Sequence, residues 1–467
     1  MATSIFKPEV DFPEVYKLCQ TFVPSEDELI KVRNIMDREM TAGLSKEGHD
    51  RSSVPCFLSY VQDLPSGRER GRFLALEMMP TNCRIMLVRF SSEKDVYMSS
   101  KCVIIPHSIA AARGTELFNF LASNIAAFVK DKKVDKENLP MGIAFAFSLN
   151  KLALDVGILV AWTKEFGATG AIGKDVVQLL RDALAKYPEV IVNILGIINV
   201  AIGSLLALCW IQPETRLGVI MGNITNSCYV ESVDNCHMYV GSDNNKPYMI
   251  INTDWAHFGD GGQVDFIRNE FDRALDEAST NPGYRIYEKF SGALYMGELI
   301  RRVVERLMRS GAIFEGQPID VISLQWKMEM SALFEMESDP PGVYIKAQEV
   351  MDKFRMRHCK DRDLAAFRYI CATVVSRAAM LLAGGISCLI NRMHYSQISI
   401  SVDGGIYRLN PTFAAVINKY TRLLTDPHYK FEYVVNQESC GVGAAIMAGL
   451  AHADKYRGES KIFELDF

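Results

Sequence analysis

From Val190 to Trp210 the chain carries no charged residue, over a length able to span a bilayer. A run like this must be hidden from water, so it limits the fold more than any other stretch. Polar and small residues interrupt it at Asn193, Gly196, Asn199, Gly203 and Ser204. A buried strand turning into a buried helix explains the apolarity and the interruptions together. The run is therefore read as protein core, with no stable membrane insertion.

The rest of the chain can supply that core. It has 467 residues, 49% hydrophobic and 23% charged, enough for two or three domain-sized units. Net charge is -5 and the pI is near 6.0, which argues against a nucleic-acid partner. The basic stretch from Lys130 to Lys133 is short and reads as a solvated loop. The 11 cysteines form no Cys-x-x-Cys pair and the eight histidines show no ligand spacing. That pattern predicts neither a disulfide framework nor a metal site, and it fits reduced thiols in a cytoplasmic protein. The stretch from Met1 to Phe22 lacks the basic and apolar regions of a signal peptide.

Short apolar strands alternate with amphipathic helices, which predicts an α/β architecture. Strands are expected over Phe73–Leu76, Ile85–Val88, Met141–Phe147, Leu217–Met221 and Ile398–Val402, with a turn at Pro80-Thr81-Asn82. Helices are expected over Lys174–Lys186, Leu299–Ser310 and Gly443–Tyr456. No tandem repeat, Walker motif or nucleophile elbow occurs.

Four collinear segments carry a more specific signal. They are Leu154 to Phe166, Asp175 to Ala183, Asn252 to Asp260, and Tyr287-Glu288-Lys289 with Ser291-Gly292 and Tyr295 to Glu298. In order and spacing they resemble the hexokinase family, from about residue 50 to about 455. The resemblance implies an actin-like, ribonuclease H-like two-lobed sugar kinase fold with a cleft between a small and a large domain. The small domain would be residues 61–200 plus the C-terminal helix 441–457. The large domain would be residues 1–60 and 201–440. The implied reaction moves the γ-phosphoryl group of Mg-ATP to the 6-hydroxyl of a hexose such as glucose.

Such a transfer needs positioning, charge neutralisation and a group that accepts the hydroxyl proton. The family supplies the acceptor as an aspartate in an Asn-Asp-Thr turn, which here reads Asn199-Val200-Ala201. Valine accepts no proton, and losing a general base lowers a rate by roughly 10²–10⁴-fold. That is about 3–5 kcal/mol of barrier. On the sugar side, the resemblance assigns substrate contacts to Thr163, Lys164, Asn199, Asn226, Asp254 and Glu288. A family serine becomes Ala146, in Ala146-Phe147-Ser148.

The phosphate turns depart further. The first, Glu77 to Arg84, keeps Thr81, Asn82 and Arg84 but has Met79 and Pro80 where the family has glycines. Bulk and a missing N–H both hinder phosphate approach. The second, Gly222 to Asn226, has Ile224 in place of a glycine. Asp403 and Gly404 retain the adenosine-side turn. Gly441 and Gly443 survive from a C-terminal glycine pattern that begins at Glu438. The expectation is a family member with catalysis lost or strongly impaired and weak hexose binding retained. The alternative is an active hexokinase feeding glycolysis through glucose 6-phosphate.

Overall fold

The uncharged run forms a strand, Val192–Asn199, followed without a break by a helix, Val200–Ile211. Asn199 makes the change of direction. Its side chain accepts from the Ala201 amide at 2.9 Å and so caps the helix it precedes. Every helix residue from Val200 to Trp210 is buried, which is why no polar stripe marks it in sequence. These features come from a computed structural model that describes residues 12–91, 95–162, 166–241, 246–336, 339–340, 342–436 and 439–455.

The strands in chain order are β1 (Phe57–Leu58), β2 (Gly71–Met78), β3 (Asn82–Phe90), β4 (Val96–Ile104), β5 (Leu139–Phe145), β6 (Ser148–Ala153) and β7 (Val156–Ala161). They continue as β8 (Val192–Asn199), β9 (Thr215–Met221), β10 (Thr225–Ser232), β11 (Tyr248–Asn252), β12 (Gln397–Asp403) and β13 (Lys430–Val435). One sheet has the order β4-β3-β2-β5-β8 and another β1-β11-β10-β9-β12-β13; β6 and β7 form a hairpin.

The two sheets share a plan. In each, three antiparallel strands (β2–β3–β4 or β9–β10–β11) are followed by two parallel ones (β5 and β8, or β12 and β13). Helices Gly114–Asp131 and Val176–Leu184 make the crossovers of the first sheet; Asp361–Met393 and Pro411–Leu424 lie at the equivalent places in the second. Helices Val200–Ile211 and Cys440–Lys455 follow the last strand of each set and pack on one another. This duplicated plan, joined across a helix pair, is the α/β two-lobed sugar kinase fold.

Several boundaries shift from their expected places. The helix expected from Lys174 begins at Val176, because Asp175 caps it by accepting from the Val177 amide. The helix expected from Leu299 begins at Ala293, and the closing helix begins at Cys440. The stretch 130–133 is only partly a loop: Lys130 and Asp131 end the helix Gly114–Asp131, and Lys130 pairs with Glu189 at 2.6 Å. Among the described residues, one helix, Asp361–Met393, is long and apolar enough to cross a membrane, and its apolar window is entirely buried inside the protein.

Candidate functional site

The ends of β8 and β11, the start of β10 and the loop after β5 converge on one cavity. It is lined by Pro80, Ala146, Ser148, Asn199, Val200, Ile224, Thr225, Asn226, Asp254 and Arg285. Its free volume of about 30 Å³ is room for roughly one water. Val200 sits in the first turn of its helix, 4% exposed, and contributes only methyl groups to the wall.

The polar wall is tied together by hydrogen bonds. Asn226 donates through Nδ2 to Asn199 Oδ1 at 3.1 Å and to Asn252 Oδ1 at 2.8 Å. Asp254 Oδ2 accepts from the Ser148 hydroxyl at 3.1 Å. Glu288 lies behind this wall, 4% exposed, and accepts from the Thr225 amide at 3.3 Å. Its two oxygens also accept from Arg285, Nε to Oε1 at 3.1 Å and Nη2 to Oε2 at 2.8 Å. Burial works against the Arg285 charge, but the carboxylates of Glu288 and Asp254 hold its pKa well above the ordinary value. Asp254 and Arg285 both have left-handed backbones, φ 48° and 59°. Two strained non-glycine residues at one cavity mark a place where position outweighs backbone comfort.

Asn199, Asn226 and Asp254 thus meet at one cavity around Val200, with Glu288 joined to it through Arg285. Thr163 and Lys164 lie outside the described residues, as does Glu438. Two residues at the site were missing from the expected set. Ser148 returns a hydroxyl to the wall where Ala146 lacks one. In an extended segment residues two apart share a face, so the offset was readable from Ala146-Phe147-Ser148. Arg285 had no such signal.

On the phosphate side two amides are taken up by their own turns. The Met79 amide donates to Asn82 O at 2.9 Å and the Gly222 amide to Ile224 O at 3.1 Å. Thr81 O accepts from the Ile105 amide at 3.0 Å and the Thr81 hydroxyl accepts from Asn82 Nδ2 at 3.2 Å. Pro80 has no N–H to offer. Gly443 and Gly441, expected beside a nucleotide, lie in the first turn of helix Cys440–Lys455. A Cβ on Gly443 would lie 1.9 Å from Gly203 O, so this glycine lets the two helices pack closely; one on Gly441 would lie 1.7 Å from Met86 Cε, the flexible end of a β3 side chain. Gly404, at φ 118°, passes so close to Met221 O that a Cβ would sit 2.0 Å away. Asp403, ending β12, has its carboxyl pKa raised by burial, opposed by the Gly404 amide and Arg408.

Two features remain open to a nucleotide. A cavity of about 490 Å³ beside Gly222, Asn223 and Gly405 is walled by Trp326, Met328 and Phe334, among others. Glu77 Oε2 is buried with no hydrogen-bond partner among the described residues. Room for a base and a carboxylate for a cation are therefore present, while the Met79 and Gly222 amides are committed to their own turns. Met79, Pro80 and Ile224 make the phosphate turns a poorer fit to the triphosphate of Mg-ATP than glycines would. Among the described residues no group of three or more His, Cys, Asp or Glu could hold a metal ion.

Comparison with known proteins gives the family. Two family models, both described as hexokinase, match residues 14–210 and 216–450. The chain is 71% identical over 462 residues to Hexokinase type 1 of Drosophila melanogaster, covering 99% of each chain. It is 31% identical over 443 residues to Hexokinase-1 of Rattus norvegicus, covering 93% of this chain and 48% of the rat protein. It thus spans about half the length of that mammalian relative and nearly all of the fly one. Among solved structures, hexokinase from Schistosoma mansoni complexed with glucose superposes with a TM-score of 0.87 at 29% identity, covering 95% of this chain and 100% of that one. On two family models that together cover most of its length, and on a relative 71% identical along nearly all of it, this chain belongs to the hexokinase family.

Proposed function

We propose that this protein binds a hexose in the cleft and transfers phosphoryl to it slowly or not at all. The observation that carries this reading is Val200, buried at the start of its helix where a proton acceptor is required. In this reading Asp254, Ser148, Asn199 and Glu288 orient the sugar hydroxyls by directional hydrogen bonds. Val200 and Ile224 exclude water from the reacting hydroxyl but take no proton from it. The glucose named in the Schistosoma mansoni structure supports a glucose-like ligand.

The lobes expected from the resemblance go with this proposal: residues 61–200 with 441–457 on one side, and 1–60 with 201–440 on the other. The five-stranded sheet lies in the first set and the six-stranded sheet in the second. All eleven cysteines are free thiols, which supports a reducing, cytoplasmic setting.

A second reading, an active hexokinase, is favoured by the name of the 71% identical relative. In that case another carboxylate takes the proton, and Asp254 lines the same cavity as Val200. A coupled assay with purified protein, glucose and Mg-ATP separates the two. The expected turnover is far below the ~1 s⁻¹ at the low end for ordinary enzymes. Val200→Asp alone is expected to leave it low, because Pro80 and Ile224 still close the phosphate turns. Turnover of about 1 s⁻¹ or more in the unmodified protein would establish the second reading instead.

A further inference from the structure

Arg285 lies in the wall of the cavity that Asn199, Val200 and Asp254 also line. Its side chain is 16% exposed and that of Glu288 5%, so the pair is largely withdrawn from water. The contact is a fork on a carboxylate: Nε and Nη2 take one oxygen each, at 3.1 and 2.8 Å. A carboxylate held this way by a planar guanidinium has its best acceptor directions filled. Thr225 N takes a further share of Oε2 at 3.3 Å. Glu288 is thus left with little capacity to accept from a ligand hydroxyl. Arg285 precedes helix Ile286–Ser291 with a left-handed backbone, φ 59°, a conformation that costs a non-glycine residue energy.

We infer that Arg285 sets the hexose affinity of this protein by competing with the sugar for the carboxylate of Glu288. A neutral polyol reaches Glu288 only when the guanidinium gives up at least one oxygen. Each incoming hydroxyl therefore replaces a hydrogen bond between two charged groups with one in which only the carboxylate is charged, and binding is weak even with Asp254, Ser148 and Asn199 in place. Arg285 acts through Glu288 and is a specificity-determining residue. This inference rests on the proposal that a hexose binds here.

The test is glucose titration by calorimetry of the full chain, unmodified and as Arg285→Gln. Glutamine keeps a hydrogen-bonding amide but removes the charged fork. The expected result is about tenfold tighter glucose binding, equivalent to about 1.4 kcal/mol. The same gain should vanish in Arg285→Gln combined with Glu288→Gln. A merely structural role for Arg285 would lower the melting temperature without tightening glucose. Should Arg285→Gln fold poorly, Arg285→Lys serves, since an ammonium cannot hold both oxygens in a fork; it should bind glucose about threefold tighter. Unchanged or weaker binding in a folded variant, or a gain that survives Glu288→Gln, overturns the inference. If the unmodified protein binds glucose saturably and Arg285→Gln binds no tighter, only this inference fails. If neither binds, the hexose reading fails with it.

Discussion

Single side chains decide what this cleft can do, and charge placement decides how those side chains respond to pH. His257 follows Asp254 by three residues and pairs through Nδ1 with Asp260 Oδ2 at 2.8 Å. Burial lowers its pKa, but the Asp260 hydrogen bond and the Asp254 and Asp260 charges outweigh that, and the net shift is upward from 6.5. A raised folded-state pKa means the folded protein holds this proton more tightly than the unfolded chain. The stabilisation is complete below about pH 6.5 and is lost as pH rises through the folded value. Urea unfolding followed from pH 6 to 8 should therefore show a decline in stability, on the order of 1 kcal/mol, that His257→Gln flattens. A variant curve parallel to the unmodified one would assign the pH dependence elsewhere. Val200 needed no structure to be read, because valine titrates nowhere. Arg285 did need one: an arginine three residues before a glutamate is ordinary in sequence, and only the fold shows it in the cavity wall.

At the scale of elements, the helix Asp361–Met393 shows why burial hides structure from sequence. Its 33 residues are apolar on nearly every side, so no amphipathic stripe announces it. Arg377 is buried within it at 2% exposure. Its guanidinium forks onto Asp272 with both bonds at 2.7 Å and donates to Ile267 O at 2.8 Å. It also packs over the rings of Phe22 and Phe290, at 5.4 and 4.9 Å. Asp272 meanwhile closes the capping box of helix Glu270–Glu277 with Asn269. One carboxylate thus caps one helix and anchors another. Asp272→Ala leaves a buried, uncompensated cation and should lower unfolding free energy by about 3–5 kcal/mol in urea titration. A loss under about 1 kcal/mol would show the pair to be wet or optional. The amphipathic helices Val176–Leu184 and Ala293–Arg309 were legible because each keeps a polar stripe toward solvent. Their starts were misplaced because caps such as Asp175 and Gly292 lie outside the periodic pattern.

Over the whole molecule, a small ionic cluster joins distant parts of the chain. Lys246, just before β11, donates to Asp63 at 2.5 Å and also to Asp454 in the last described turn of helix Cys440–Lys455. All three side chains are partly exposed, so the cluster should add only about 1 kcal/mol to stability. Its larger effect should be local. Lys246→Ala is expected to speed amide exchange at the C-terminal end of that helix, read by mass spectrometry, with little change in melting temperature. Unchanged exchange there would mean that packing on Val200–Ile211 alone holds the helix. The two sheets repeat one plan although no tandem repeat is visible in sequence, because a shared topology needs only matching strand and helix order. Sequence alone determined the α/β class, the buried strand–helix run from Val190 to Trp210, the family, and the missing carboxylate at Val200. These are properties of residue type and order. Tertiary structure alone decided that Gly443 admits the close approach of Gly203 and that Arg285 occupies Glu288. Those depend on which backbones approach within a few ångströms, and residues far apart in the chain set that distance.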